Sequence, residues 1–352
     1  MEMETDLLQY NFFIKDKNST NNNNNNNNNN QISKLKEKNY ITTNEIKISN
    51  QIKKIPYFFI KFNVMLSYKL LRDLHKIPEI INKEDHEKYL LINYIDPNRD
   101  RSLYLRDFFT NLPNPKQVIL HSIKTYLHLL KSLILLENNK ITFFDLSPYT
   151  IFIENNKPML QNFENSILNE HIDEKYISVI IKNLKDFTYK PLEIHLLFYL
   201  IVNDIDSLSY SLSYEIYEHF IENMTVLNIF SQDYREKYKK ECIEFLNNYV
   251  NKSREQIIKD IIQYYYTWDN YSLSILYLHI FGNLLHVFSL EDTFINKIVN
   301  SLSKNISIHP SKRERLQQSI DAFNTLFYEP NLDWTYVNSI PQDKVDLLHE
   351  VL

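Results

Sequence analysis

An α+β fold follows from two observations on the sequence: strand-like runs gather before Asp96, and helical periodicity dominates from Val118 onward. Tyr10-Asn11-Phe12-Phe13-Ile14-Lys15 and Lys88-Tyr89-Leu90-Leu91-Ile92-Asn93-Tyr94 are rich in the aromatic and branched residues of strands. Between Val118 and Glu137, apolar residues at Ile119, Ile123, Tyr126, Leu127, Leu130, Leu133 and Ile134 recur at helical spacing and define one buried face. Residues 194–203, 208–223, 233–250 and 253–266 also look helical. A small strand-rich part followed by a larger helical part is therefore expected.

The 352 residues, 43% hydrophobic and 14% aromatic, are enough for substantial cores. The single Cys242 excludes a disulfide framework and a cysteine-rich metal site. A net charge of −5 gives no general reason to expect nucleic-acid binding. The opening Met1-Glu2-Met3-Glu4-Thr5-Asp6 is acidic, unlike a cleavable signal, and apolar runs such as Ile194 to Val202 fall short of a membrane span. The expectation is a cytoplasmic protein with neither nucleic acid nor membrane as partner. Heavy use of Asn, Ile, Lys and Tyr points to an AT-rich genome, as in large DNA viruses, slime moulds and malaria-type parasites; a viral source would put the protein in the host cytoplasm or virion. Glycine occurs once, at Gly282, so no glycine-rich phosphate loop exists.

Asn21 to Asn30 is an unbroken asparagine tract that can bury nothing and reads as a solvated insertion over 18–40. Thr43 or Asn44 then caps a helix containing Glu45. Residues 56–60 and 65–71 read as strand or loop and then strand, Ile95-Asp96 as a hinge, and 102–111 as a short helix.

The residues that carry chemistry follow the long helix. Asp145-Leu146-Ser147-Pro148-Tyr149-Thr150 and Asn162-Phe163-Glu164 keep the spacing of H-R-D-L-x-x-x-N and D-F-G. Lys190-Pro191-Leu192-Glu193 resembles A-P-E. Trp268-Asp269-Asn270-Tyr271 resembles the start of a large-lobe helix whose Asp accepts catalytic-loop amide protons, and His309-Pro310-Ser311-Lys312-Arg313 resembles the late motif whose Arg pairs with the A-P-E Glu. Taken in order, these landmarks resemble the protein kinase-like superfamily across residues 10–328, with a divergent, giant-virus branch as one candidate source.

That resemblance implies a bilobal fold: a reduced N-terminal β-lobe over 1–95, a mainly α-helical C-terminal lobe over 96–328 with a helical insertion at 194–266, and a tail over 329–352. Lys15 and Glu45 would be the nucleotide-site ion pair, in a small lobe lacking most of the two strands that close over the nucleotide. Asp145 would stand at the catalytic base, Thr150 and Asn162 at the two metal-ligand positions, and Glu193, Arg313 and Asp269 in structural roles. ATP and magnesium would be the ligands, yet a hydroxyl and a neutral amide grip a hard dication far less well than the family's side chains do. Glu164 is the one nearby carboxylate that could substitute. The leading expectation is a pseudokinase that binds or regulates a protein partner through the insertion. The alternatives are an active, atypical Ser/Thr kinase using Asp145, Lys15 and Glu164, and an all-helical scaffold whose motifs are coincidental. Bland readings accompany the sharp ones. Asp145 suits a turn cap, and the pairs His121/His128 and His279/His286 suit ordinary core histidines, there being no third ligand. Tyr264-Tyr265-Tyr266 and Trp268 suit aromatic packing.

Overall fold

The computed structural model describes residues 11–12, 31–70, 87–96, 103–288, 293–328 and 348–349. The asparagine tract and Lys15 lie outside them, as does most of the tail.

Strands β1 (Asn11–Phe12), β2 (Gln31–Glu37), β4 (Ser67–Leu70) and β5 (Tyr89–Ile95) form an antiparallel sheet in the order β1-β2-β5-β4. Its centre, β5, buries Leu90, Ile92 and Tyr94 against Met65, with Ile32, Ile46 and Leu70 packed at the margin. Helix α1 (Tyr40–Ile52) follows β2 almost at once. Asn39 caps it by accepting from the Thr42 amide at 3.0 Å, so the cap stands earlier than the Thr43 or Asn44 expected. The insertion expected over 18–40 is corrected accordingly, because residues 31–37 are a seven-residue strand paired along its whole length with β5.

A second sheet has the order β3-β9-β8-β6, built from β3 (Phe62–Asn63), β6 (Leu103–Tyr104), β8 (Ile151–Glu154) and β9 (Lys157–Gln161). The β8–β9 hairpin turns on Asn155-Asn156 at φ 51° and 61°, the left-handed pair that a two-residue hairpin loop requires. A ribbon of β7 (Ile141–Thr142) and β10 (Ile167–Leu168) closes the set. The ten strands in three sheets among the described residues exclude the all-helical alternative.

The helical part comprises α2 (Leu105–Thr110), α3 (Pro115–Asn138), α4 (Glu174–Asn183), α5 (Leu192–Val202), α6 (Tyr210–Asn223), α7 (Gln232–Asn247), α8 (Arg254–Ile261), α9 (Trp268–Phe288), α10 (Phe294–Asn305) and α11 (Leu316–Tyr328). Helix α9 is its axis. It is apolar almost all round and correspondingly buried, as a helix surrounded by others must be. Tyr277 of α9 meets α3 by stacking edge-on against Tyr126, with ring centroids 5.1 Å apart, and by donating its hydroxyl to Thr125 Oγ1 at 2.7 Å. Both α3 and the stretch Arg254–Phe288 are long and apolar enough to cross a membrane. However, 56% and 78% of their most apolar windows are buried inside the protein, which marks them as core helices.

The segment read as an insertion belongs to the same core. Ile216, Phe220, Tyr238, Cys242, Phe245, Leu246, Ile257 and Ile258 are buried in one continuous cluster with α3 and α9. Gly282 has its role here. A β-carbon at that position would lie 2.5 Å from Cγ2 of Ile229, at the end of the 3-10 segment Thr225–Ile229. The lone glycine thus permits a close approach between α9 and its neighbour.

Two expected outcomes follow from this contact. Gly282→Ala should lower stability by about 1–3 kcal/mol through overpacking, measured by denaturant unfolding, and Gly282→Ala combined with Ile229→Ala should recover part of the loss. Equal losses in the single and double variants would contradict the assigned contact.

Candidate functional site

The candidate site lies where β2, α1, β5 and the turn after β9 converge. Strand periodicity puts Lys34 and Lys36 on one face of β2. Lys36 Nζ lies 2.8 Å from Glu45 Oε2 of α1 and 2.6 Å from Glu164 Oε2 of the turn. The other Glu45 oxygen accepts the Tyr94 hydroxyl of β5 at 2.7 Å. One ammonium therefore joins three elements, and Tyr94 joins the fourth. Lys15, expected to pair with Glu45, lies outside the described residues, and Glu45 is occupied by Lys36 and Tyr94 instead. The Lys36–Glu45 contact has a simple physical cause: β2 ends three residues before α1, so its last inward lysine is the one that meets the helix.

Burial opposes charge on Lys36, yet Glu45 and Glu164 outweigh it and hold the ammonium above its ordinary pKa. Burial likewise opposes the Glu164 carboxylate, and Lys36 overcomes it, holding that carboxyl below the usual range. The Tyr94 phenol is pushed far up by burial and by Glu45, so it stays a neutral donor. Its ring lies beneath both lysines, with Nζ of Lys34 and Lys36 at 5.3 and 5.8 Å from the centroid. The space left beside it, lined by Ile32, Lys34, Asn63, Tyr94, Ile95, Gln161 and Asn162, has a volume of about 10 Å³, room for about one water.

The turn Asn162–Asn165 is fixed from below by Phe163, which is buried against Phe62 and Phe143 with centroids at 6.1 and 5.1 Å. Asn162 is exposed and takes the left-handed conformation at φ 63°, one that Asn adopts readily. Asn44 of α1 donates to the carbonyls of Glu164 and Ser166 and accepts from the Tyr176 hydroxyl, which ties the turn to helices α1 and α4.

Beside this turn lies the loop at Asp145. Asp269, at the start of α9, accepts the amide protons of Phe143 and Phe144, both at 2.7 Å. Burial pushes the Asp269 carboxyl up to about 6, although the two amides favour its charged form. Phe144 is held at φ 65°, an unfavourable conformation for an aromatic residue. The backbone on both sides accounts for it: Asp269 takes the Phe144 N–H, and the buried Lys190 ammonium donates to the Phe144 carbonyl at 2.6 Å. Lys190 also reaches Asp145 Oδ1 at 3.3 Å, while Asn165 Nδ2 donates to Asp145 Oδ2 at 2.7 Å. Both oxygens of Asp145 are thereby engaged from within the protein.

Thr150 is buried, and its hydroxyl turns inward. It accepts from the Ser147 amide at 2.9 Å and lies 3.0 Å from the Asp145 carbonyl, closing the loop on itself. Thr150 and Asn162 are near neighbours through the Gln161 amide, which donates to the Thr150 carbonyl, but neither offers an anionic oxygen. Glu164, the one nearby carboxylate that could replace them, is held by Lys36. Among the described residues no group of three His, Cys, Asp or Glu side chains is arranged to hold a metal ion. Further from the site, Glu193 and Arg313 form a fully buried bidentate pair with N–O distances of 2.5 and 2.9 Å.

Sequence reasoning brought Glu45, Asp145, Thr150, Asn162, Glu164, Glu193, Asp269 and Arg313 into view. It missed Lys36, Tyr94, Asn165 and the role of Lys190. The one signal for Lys36 was the lysine pair at 34 and 36, two residues apart and close before a helix. The chain matches no protein-family model and no curated protein sequence.

The Lys36 cluster makes a signed prediction. In the native chain Glu164 has a depressed pKa, so its contribution is full above about pH 4.5, its ordinary value, and is lost as the pH falls through the lower folded value. Lys36→Met removes the ammonium that both Glu45 and Glu164 contact and leaves only the more distant Lys34 and Lys185 acting on Glu164, whose pKa therefore rises. The variant should lose about 1–3 kcal/mol at pH 7, an estimate discounted for partial exposure, and regain stability as the pH is lowered toward 5. Parallel pH–stability curves for the two proteins would contradict this.

Proposed function

We propose that this protein is a pseudokinase: a member of the protein kinase-like superfamily with a bilobal fold and impaired phosphotransfer, working as a binding or regulatory module. The observation that carries the reading is the engagement of Asp145 by Lys190 and Asn165. An ammonium and an amide already take one acceptor site on each Asp145 oxygen, so a substrate hydroxyl would have to share the carboxylate with them, and phosphoryl transfer further demands metal ions and positioned phosphates. The ammonium that would meet the phosphates is clamped by two carboxylates, and the residues at the metal-ligand positions are a self-satisfied threonine and an exposed asparagine.

The kinase-like ancestry is supported by contacts that the resemblance implied before any geometry was known. Asp269 accepts the loop amides, Glu193 meets Arg313, and a lysine on a strand meets Glu45 on the helix that follows. The active-kinase alternative needs a free Asp145 and a metal-binding Glu164, and both are occupied.

The regulatory role assigns a protein partner to the exposed faces of the segment 194–266, where Tyr210 and Tyr214 of α6 are 67% and 52% exposed. Because that segment also buries core residues, its deletion would unfold the protein, and surface changes at those tyrosines are the appropriate probe. Cytoplasmic residence belongs to the same proposal.

Two measurements test it. Millimolar ATP with magnesium should leave the thermal midpoint of the purified protein unchanged, since a ligand that binds only the folded state must raise it. Labelled ATP with a generic substrate should give no phosphate incorporation. Incorporation that Asp145→Asn abolishes would overturn the proposal.

A further inference from the structure

We propose that the turn at residues 56–60, together with the lysines beside it, is a membrane-docking surface that binds anionic lipid headgroups and seats its aromatic tip at the bilayer interface. Three side chains of this turn face solvent: Tyr57 is 73% exposed, Phe59 54% and Ile60 41%. They sit on the single 3-10 turn Phe58–Ile60 between α1 and β3, where Phe59 meets Tyr57 and Phe58 edge-on at 6.4 and 5.9 Å. The result is a convex apolar knob.

Backbone geometry argues that the tip is retained for its side chains. Tyr57 has φ 56° and ψ 30°, a conformation unfavourable for a bulky residue. Elsewhere among the described residues asparagine fills most left-handed positions, at Asn155, Asn156, Asn162 and Asn251, with Lys140 and Asp204 at two more. Phe144 is the other aromatic at positive φ, and it is held by Asp269 and Lys190 from both sides. At Tyr57 the hold is local, the carbonyl accepting the Ile60 amide at 3.1 Å, and the ring itself stays exposed.

The surroundings of the knob are cationic. Lys54 precedes it and Lys61 follows it. Lys61 crosses to α3, with its ammonium 3.5 Å from Ser132 Oγ. There it joins Lys131 and, at the β8–β9 turn, Lys157, and these three lysines surround His128. Burial first and then those lysines push the His128 imidazole down to about 4, and burial with Lys131 lowers Lys61. Among the described residues, Lys61, Lys131 and Lys157 make no salt bridge. For Lys61 and Lys131 the cause lies in the sequence: no Asp or Glu occurs between Glu45 and Asp73, nor between Asp107 and Glu137, in a chain whose net charge is −5. The two acid-free stretches meet at this face.

Exposed Tyr and Phe flanked by lysines suit the interfacial region of an anionic bilayer, where the rings sit at headgroup depth and each lysine adds electrostatic attraction. Three apolar side chains fall well short of the roughly 20–30 residues per side of a stable protein interface, whereas shallow insertion combined with lysine contacts suffices for reversible membrane binding. The expectation of no membrane contact rested on a search for spanning segments, which a surface of this kind does not need.

Vesicle sedimentation of the full chain tests the proposal. Vesicles of 70% phosphatidylcholine and 30% phosphatidylserine should carry the protein down, and pure phosphatidylcholine vesicles should not. Each of Lys61→Ala, Lys131→Ala and Lys157→Ala should weaken binding about fivefold, on the order of a hundredfold together. Phe59→Ser with Ile60→Ser should abolish it. Tyr57→Gly separates docking from folding, because it relieves the backbone and should raise the thermal midpoint while weakening vesicle binding. Failure to sediment with the anionic vesicles would overturn the proposal. So would binding indifferent to both sets of changes, or a knob that proves to mediate protein self-association in sedimentation velocity without lipid binding.

Discussion

One ammonium group organises the candidate site. Lys36 stands on a strand, Glu45 on the helix that follows it, and Glu164 on a turn 128 residues further on. An ion removed from water costs several kcal/mol unless its partners satisfy it. Lys36 meets that condition with two carboxylates, and Tyr94 completes Glu45. The cluster thereby fixes how β2, α1 and the turn sit against one another. The same closure withdraws the lysine from any external anion.

A consistent division runs through the neighbourhood. Groups that hold the backbone are well placed: Asp269 under the loop amides, Glu193 with Arg313, Asn44 between helix and turn. Groups that would perform chemistry are turned to internal partners: Asp145 to Lys190 and Asn165, Thr150 to its own loop, Glu164 to Lys36. A scaffold under such constraint is rigid where a catalyst would need free oxygens. Exposed aromatic side chains stand apart from this neighbourhood, at Tyr210 and Tyr214 of α6 and at the knob before β3.

Much of this was legible in the sequence, for identifiable reasons. The long helices announced themselves through apolar spacing, since α3 and α5 to α9 bury faces that periodicity marks. Thr150 and Asn162 came into view through the spacing of the loop and the turn that hold them. β2 was not legible: Gln31-Ile32-Ser33-Lys34-Leu35-Lys36-Glu37 lacks regular alternation and abuts the asparagine tract, so it reads as loop until β5 pairs with it. Lys190 and Asn165 reach Asp145 across 45 and 20 residues, and no local pattern encodes such contacts. The knob at Tyr57 read as strand, because aromatic composition is shared by buried strands and exposed tips, and only the fold tells which is which.

The most direct test of the account is to observe the Lys36 ammonium itself by nitrogen-resolved NMR while magnesium and ATP are added to millimolar concentration. A resonance that stays in place, slowly exchanging and bound to its two carboxylates, is the expected result. A saturable shift of that resonance would mean that the lysine leaves Glu45 or Glu164 for a phosphate, and the closed-site account would fail.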